Sequence, residues 1–383
     1  MHGETDQRPN YKVDTHIVQA TLAPGMDIHI ARVRAEWWFH PMPTALGDRI
    51  STMDRPRKSR LKRWLPRVAS LLAFAVAAAL LAQVFYDHWV NSKYQAPGRL
   101  IDIGGYRLHL VERGVGPVVI FEAALGGGAL DWAVITEPLA SHARTISYDR
   151  AGNGWSDPGP GSRTPQQIAD ELHEALKRAG ISPPYVLVGH SLGGLYVQVF
   201  ARRFPGEVAG MVLVDSSHPD QFRRLGVTIP DMYYLELCLA QLGVQHLFIH
   251  GNAPAEYPPD LWAARKALAA RSQNVRGSAY EMHAFITASV DGTLLQPFAH
   301  AIPLVVLTHG KPAPGMTSEK SLRFEHEWVL MQTELAAFSP IGTQKIVADT
   351  SHFIPFDQPS AIVNAVNEVL HQTASTKLPN PQK

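Results

Sequence analysis

The chain has 383 residues, 45% of them hydrophobic and 18% charged, with 29 glycines and 29 prolines. Those proportions allow a substantial buried core and exclude disorder throughout, a collagen repeat and a coiled coil as global descriptions. Lys plus Arg total 35 against 34 for Asp plus Glu, and Cys238 is the single cysteine. There is thus no general electrostatic case for nucleic acid, no intrachain disulfide and no zinc cluster of several thiolates.

Residues 1–52 have neither clean periodicity nor a recognisable motif. They read as an N-terminal extension, disordered or lying upstream of a true start at Met53. Residues 53–67 form a basic flank carrying Arg55, Arg57, Lys58, Arg60, Lys62, Arg63 and Arg67. Val68 to Tyr86 follows, an apolar run broken only by Ser70 and Gln83. At about 1.5 Å per residue it covers roughly 28 Å, close to the hydrocarbon thickness of a bilayer. Basic residues ahead of such a span favour a cytoplasmic N-terminal flank, and Tyr86, Trp89 and Tyr94 beyond it suit an interfacial belt. The expectation is a single membrane anchor with the domain behind it on the non-cytoplasmic side. The alternative is secretion after signal cleavage near Ala77-Ala78-Ala79.

From Arg99 the chain alternates short β-rich runs with amphipathic stretches, the pattern of a largely parallel sheet covered on both faces. Expected strands are Leu100–Ile103, Arg107–Glu112, Val118–Glu122, Thr145–Asp149, Tyr185–Val188, Met211–Val214, Leu304–Leu307 and Lys345–Val347. Gly104-Gly105 predicts an antiparallel hairpin between the first two. Thr164-Pro165-Gln166-Gln167 is a capping box, predicting a helix to about Ala179 with Gly180 beyond its end. Between Ser216 and Ile302 the strand rhythm stops. Helical stretches at Met232–Leu242 and Leu261–Ser272 make residues 216–302 a helical cap between core segments 99–215 and 303–371. The last helix is expected over Ser360–His371, followed by a polar tail, 372–383.

Gly189-His190-Ser191-Leu192-Gly193 follows an apolar strand and precedes the helical run Leu195–Arg203, the context a nucleophile elbow requires. A serine hydroxyl needs a base to take its proton, and an imidazole suits that task near neutrality. Of 18 histidines, His352 is the best placed, just after the last strand and before the last helix. His190 is too near Ser191 to reach back, and His218 and His309 remain alternatives.

These residues resemble an α/β-hydrolase of the lid-bearing serine esterase and peptidase group, over about Arg99 to His371. The likeness rests on the elbow, on Asp149-Arg150-Ala151-Gly152-Asn153-Gly154-Trp155-Ser156, similar to the family's Asp-x-x-Gly-x-Gly-x-Ser loop, and on His352-Phe353 with Asp357-Gln358-Pro359. The resemblance implies an eight-stranded, mostly parallel sheet with helices on both faces and a helical cap. The family's acid usually follows the seventh strand, but Thr308-His309-Gly310-Lys311-Pro312 holds no carboxylate. Some members place it after the sixth, where Asp215 stands here. Asp215 is therefore the expected acid, Glu319 the alternative, and Asp349 is too near His352 along the chain. The resemblance also implies an oxyanion hole from the backbone N–H groups of Leu192 and of Leu125, in Ala123-Ala124-Leu125-Gly126-Gly127-Gly128.

No Gly-Lys-[Ser/Thr] follows that glycine run, and no His-Glu-x-x-His or EF-hand spacing occurs, so neither a nucleotide, a metal nor another cofactor is expected. The expected activity is hydrolysis of a small-molecule or lipid-like carboxylic ester through an acyl-enzyme on Ser191. A proline iminopeptidase-like aminopeptidase and a non-catalytic hydrolase-like binding module are the competing readings.

Overall fold

Elements were assigned in a computed structural model, which describes residues 17–21, 27–31, 58–226, 233–249, 251–287, 292–312 and 319–375. In the N-terminal unit, residues 1–63, β1 (Ile17–Thr21) and β2 (Asp27–Ala31) pair antiparallel. The sequence alone marks no element there, reading residues 1–52 as an extension either disordered or upstream of the true start. Helix α1 (Lys58–Lys93) contains the whole expected apolar span. Its stretch Trp64–Lys93 is the one described helix long and apolar enough to cross a membrane.

The second unit, residues 64–383, carries β3 (Arg99–Asp102), β4 (Arg107–Arg113), β5 (Val118–Glu122), α2 (Ala133–Leu139), β6 (Arg144–Asp149), α3 (Pro165–Arg178), β7 (Tyr185–His190), α4 (Leu192–Arg203) and β8 (Val208–Val214). Four helices follow: α5 (Gln221–Leu225), α6 (Tyr233–Gln241), α7 (Pro259–Ala269) and α8 (Ser272–Thr287). Then come β9 (Leu304–His309), α9 (Glu319–Ala336), β10 (Gly342–Val347), α10 (Ile354–Asp357) and α11 (Pro359–Ser375). The eight strands β3 to β10 form one sheet in the order β10-β9-β8-β7-β5-β6-β4-β3. β3 and β6 both run antiparallel to β4, and every other neighbouring pair is parallel.

The residue chemistry accounts for this order. β5, β7, β8 and β9 are buried at every position, as Val/Ile/Leu-rich strands sandwiched between helices must be. One layer packs Ile168 and Leu172 of α3 and Leu195 and Val199 of α4 on one face of the sheet. The other packs Ile135 of α2 and Ile362, Val366 and Val369 of α11 on the opposite face. Thr164 caps α3 by accepting from the Gln167 N–H at 3.2 Å, and Gly180, at φ +70°, ends it. The helical stretch expected through Ser272 stops instead at Ala269. A turn at Ala270-Arg271 starts α8, a helix the sequence pattern did not separate.

Helices α5 to α8 lie between β8 and β9 in the chain. The last turns of α1 dock on them. Val90 is buried against Leu130, Ala264, Ala267 and Leu268. The Tyr86 hydroxyl donates to the Ala267 carbonyl at 3.2 Å, and Asp87 accepts from the Ser272 hydroxyl and amide. Met232, Ala313, Pro314 and the tail beyond Ser375 lie outside the described residues.

Candidate active site

The C-terminal ends of β7, β8 and β9 build the site. Between β7 and α4 the chain reverses within one residue, leaving Ser191 at φ 53°, ψ −123°. Such a bend needs its neighbours bare. A Cβ on Gly193 would stand 2.4 Å from the Ala123 carbonyl oxygen, and one on Gly189 2.7 Å from that of Gly193. The bend is braced by hydrogen bonds from the Ser191 N–H to the Val214 carbonyl (3.0 Å) and from the Ser217 N–H to the Ser191 carbonyl (2.8 Å).

His352 lies on the loop between β10 and α10. Asp357 holds that loop by accepting from the Ser351 amide and hydroxyl, both at 2.7 Å. The imidazole spans the site: Nε2 is 3.0 Å from Ser191 Oγ, and Nδ1 is 2.5 Å from Asp215 Oδ2. His190 packs behind, where burial holds its imidazole down to about 3. It is therefore neutral, and its Nε2–H donates to the His352 carbonyl at 2.9 Å.

Asp215 follows β8 and is fully buried, at φ 43°. Its Oδ1 accepts from the His309 backbone N–H (3.1 Å) and Trp328 Nε1–H (3.0 Å). Its Oδ2 meets Nδ1 of both His352 and, at 2.7 Å, His309. Burial disfavours the charge, but the donors on His309 and His352 outweigh it and hold the carboxyl well below the usual carboxylate range. The three side chains Asp215, His309 and His352 have ligand-type atoms within 4.8 Å of one another. Their 2.5 and 2.7 Å N···O separations are as short as charge-assisted hydrogen bonds or shorter.

The expected residues Ser191, His352 and Asp215 thus come together. Glu319, the alternative acid, is exposed at the start of α9, and Asp349 is an exposed partner of Lys311 at 3.2 Å. His218 is buried, with its Nε2 3.5 Å from Glu334. Leu192 opens α4. Leu125 sits in a turn closed by the Gly127 N–H on the Ala124 carbonyl at 3.0 Å. Neither the Leu125 nor the Leu192 amide has an acceptor among the described residues.

Two groups of residues escaped the sequence reading. Arg150 is buried beneath the Leu125 turn. It donates to the Ala123 and Ala124 carbonyls at 2.7 and 2.8 Å, to Glu122 at 2.6 Å, and through two nitrogens to Glu281 of α8 at 2.8 and 2.9 Å. A glutamate ending the otherwise apolar β5 was the available signal. The second group is Glu325 and Trp328 of α9, which with His309 of β9 surround Asp215. No motif marks it.

A protein-family model described as alpha/beta hydrolase fold matches residues 116–237. The curated protein named "Probable transporter efuK" of Hormonema carpetanum is 32% identical over 145 residues, 36% of this chain. The match spans only 21% of that protein's length. Among solved structures, a thermophilic esterase from Thermogutta terrifontis is similar at 22% identity and TM-score 0.55, covering 72% of this chain and 98% of that one. An enol-lactonase from Burkholderia xenovorans is similar at 18% identity and TM-score 0.55, covering 71% of this chain and 100% of that one. With the parallel sheet and the bend at Ser191, these matches establish that the chain has the α/β-hydrolase fold.

Proposed function

We propose that this chain is a serine hydrolase that cleaves carboxylic esters. The observation that carries the reading is the His352 imidazole, with one nitrogen 3.0 Å from Ser191 Oγ and the other 2.5 Å from Asp215 Oδ2. In this reading Nε2 takes the hydroxyl proton as Oγ attacks the ester carbonyl. Asp215 fixes the tautomer and stabilises the imidazolium that forms. The unpaired amides of Leu125 and Leu192 receive the developing oxyanion. Such a donor is typically worth about 3 kcal/mol of transition-state stabilisation. His352 then protonates the departing alcohol, and water, deprotonated by the same nitrogen, releases the acid from the acyl-enzyme. The similar esterase and lactonase both act on ester bonds by their names, which supports this class over the peptidase. A peptidase holding a free substrate amine needs an uncommitted acid. Asp215, Glu122 and Glu281 are each already hydrogen-bonded.

Attachment through α1 belongs to the same proposal, with the hydrolase unit on the non-cytoplasmic side and a lipid-like ester as substrate. The docking of Tyr86, Asp87 and Val90 on the cap supports retention of the helix end beside the domain. The test is labelling by a fluorophosphonate probe together with a panel of nitrophenyl esters and aminoacyl amides. The full chain should label and hydrolyse esters, and Ser191→Ala should do neither. An unlabelled wild type refutes the reading, and amide preference favours the peptidase. Protease accessibility of the domain in intact cells decides its side.

A further inference from the structure

His309 ends β9, and each of its ring nitrogens faces a carboxylate oxygen. Nδ1 is 2.7 Å from Asp215 Oδ2, and Nε2 is 2.8 Å from Glu325 Oε2 on α9. A neutral imidazole has one N–H and serves one acceptor, whereas the imidazolium serves both. The ring is largely buried, so the second contact is not left to water. Its surroundings supply charge from several elements. Asp215 comes from the end of β8, Glu325 from α9, and His352 lies beyond the shared Oδ2. Along the strand exit, Lys311 and Asp349 pair with each other at 3.2 Å. The Trp328 indole closes the group, donating to Asp215 Oδ1 with its ring 5.9 Å from that of His352.

We propose that His309 is a positioning residue, a cation braced by Glu325 that fixes the Asp215 carboxylate against His352 and offsets part of its negative charge. The inference rests on the serine-hydrolase reading and extends it. Asp215 has two imidazole partners on one oxygen. Every proton that His309 keeps there weakens the pull of Asp215 on a proton at His352. Burial opposes the charge on His309, but the hydrogen bonds to Asp215 and Glu325 outweigh it and raise the imidazole to about 9. The arrangement therefore holds across the neutral range.

The test uses the full chain in detergent, with the rate of Ser191 labelling by a fluorophosphonate followed from pH 4.5 to 9.5. In His309→Asn a side-chain amide still faces Asp215, but the cation is gone. The acidic limb of the profile should move up by about one pH unit. Labelling on that limb should then fall about tenfold, a larger loss than at pH 8. Glu325→Gln leaves the core shape alone and should move the limb in the same direction by less, which covers the case in which His309→Asn fails to fold. Imidazole nitrogen NMR of Ser191→Ala should show both His309 nitrogens protonated at pH 7.5. An acidic limb that stays put in both variants overturns the inference, as does a singly protonated His309. If the wild type itself does not label, the serine-hydrolase reading falls, and the NMR result still decides the charge on His309.

Discussion

Arg150 offers the sharpest test of how cap and core are joined. Its guanidinium, with 1% of the side chain exposed, lies between Glu122 of β5 and Glu281 of α8, with Tyr196 Oη also donating to Glu281. Arg150→Met keeps the length and removes the cation, stranding two buried carboxylates. Breaking a buried ion pair typically costs about 3–5 kcal/mol. The carboxylates can escape by protonation, which at pH 7 costs roughly 3.5 kcal/mol for a group that titrates near 4.4 in the unfolded chain. Both routes put the loss at several kcal/mol near neutrality. At about 2–4 °C per kcal/mol for a domain of this size class, melting should fall by roughly 6–20 °C. The sign of the pH dependence follows from burial, which already raises the Glu122 carboxyl in the wild type. In the variant the Glu122 carboxyl rises further, so its share of the deficit is full above its folded value and shrinks as pH falls toward about 4.4. Thermal unfolding between pH 4.5 and 7.5 measures it. Adding Glu281→Gln should restore part of the loss. A drop below about 3 °C, or one independent of pH, refutes the argument that this cation neutralises the cap contact.

Other outcomes follow from the same geometry. Asp215→Asn should lower ester turnover by roughly a thousandfold or more, since the amide favours the wrong imidazole tautomer, while Glu319→Gln at the exposed start of α9 should stay near wild type. Steady-state kinetics on one nitrophenyl ester separates the two. Gly193→Ala would drive a Cβ to 2.4 and 2.5 Å from the Ala123 and Glu122 carbonyl oxygens, so it should abolish phosphonate labelling and depress melting together. Labelling of a well-folded Gly193→Ala protein would contradict the close approach. Burial holds His190 at about 3 and His218 at about 4, both below the unfolded value near 6.5. Their contribution to stability is full above pH 6.5 and is lost as pH falls toward those values, because the unfolded chain takes up the protons first. His190→Gln should flatten the slope of unfolding free energy against pH between 4.5 and 6.5 by up to one proton, as read from denaturant titrations.

What the sequence made legible was local or positional. The fully apolar runs of β5, β7, β8 and β9 announce buried parallel strands, and the Thr164 capping box marks the start of α3. Ser191 is readable because strand, bend and helix are consecutive. The place of Asp215, directly after β8, is readable because the apolar run Val212-Leu213-Val214 marks the end of that strand. The strands β8 and β10 begin earlier than their sequence pattern suggests, since Ala209-Gly210 and Gly342 are weak strand formers whose pairing supplies what propensity lacks. The Arg150–Glu281 contact joins residues 131 apart, and the Asp215–Trp328 contact residues 113 apart. Neither leaves a trace in periodicity, because a buried charge and its partner are selected by three-dimensional proximity alone. His309 was weighed as a rival base for Ser191. In the structure it shares Asp215 with His352, a relation that only the adjacency of β8 and β9 creates.

The backbone ties these features together. Among the described residues, the non-glycine positions with positive φ are Ser191 and Asp215. Such conformations cost on the order of 1–3 kcal/mol each and persist only where surrounding contacts over-determine them. Here the contacts interlock. The Val214 carbonyl holds the Ser191 amide at 3.0 Å, and the next residue, Asp215, has its own amide held by the Leu307 carbonyl at 2.7 Å. The end of β8 therefore braces the bend at Ser191 on one side while β9 braces the bend at Asp215. Aspartate tolerates the left-handed region better than most residues, so one residue type satisfies both backbone and chemistry at 215. Strain at both bends, locked by neighbouring strand ends, lets Ser191 and Asp215 meet His352 without either side chain having to search for it.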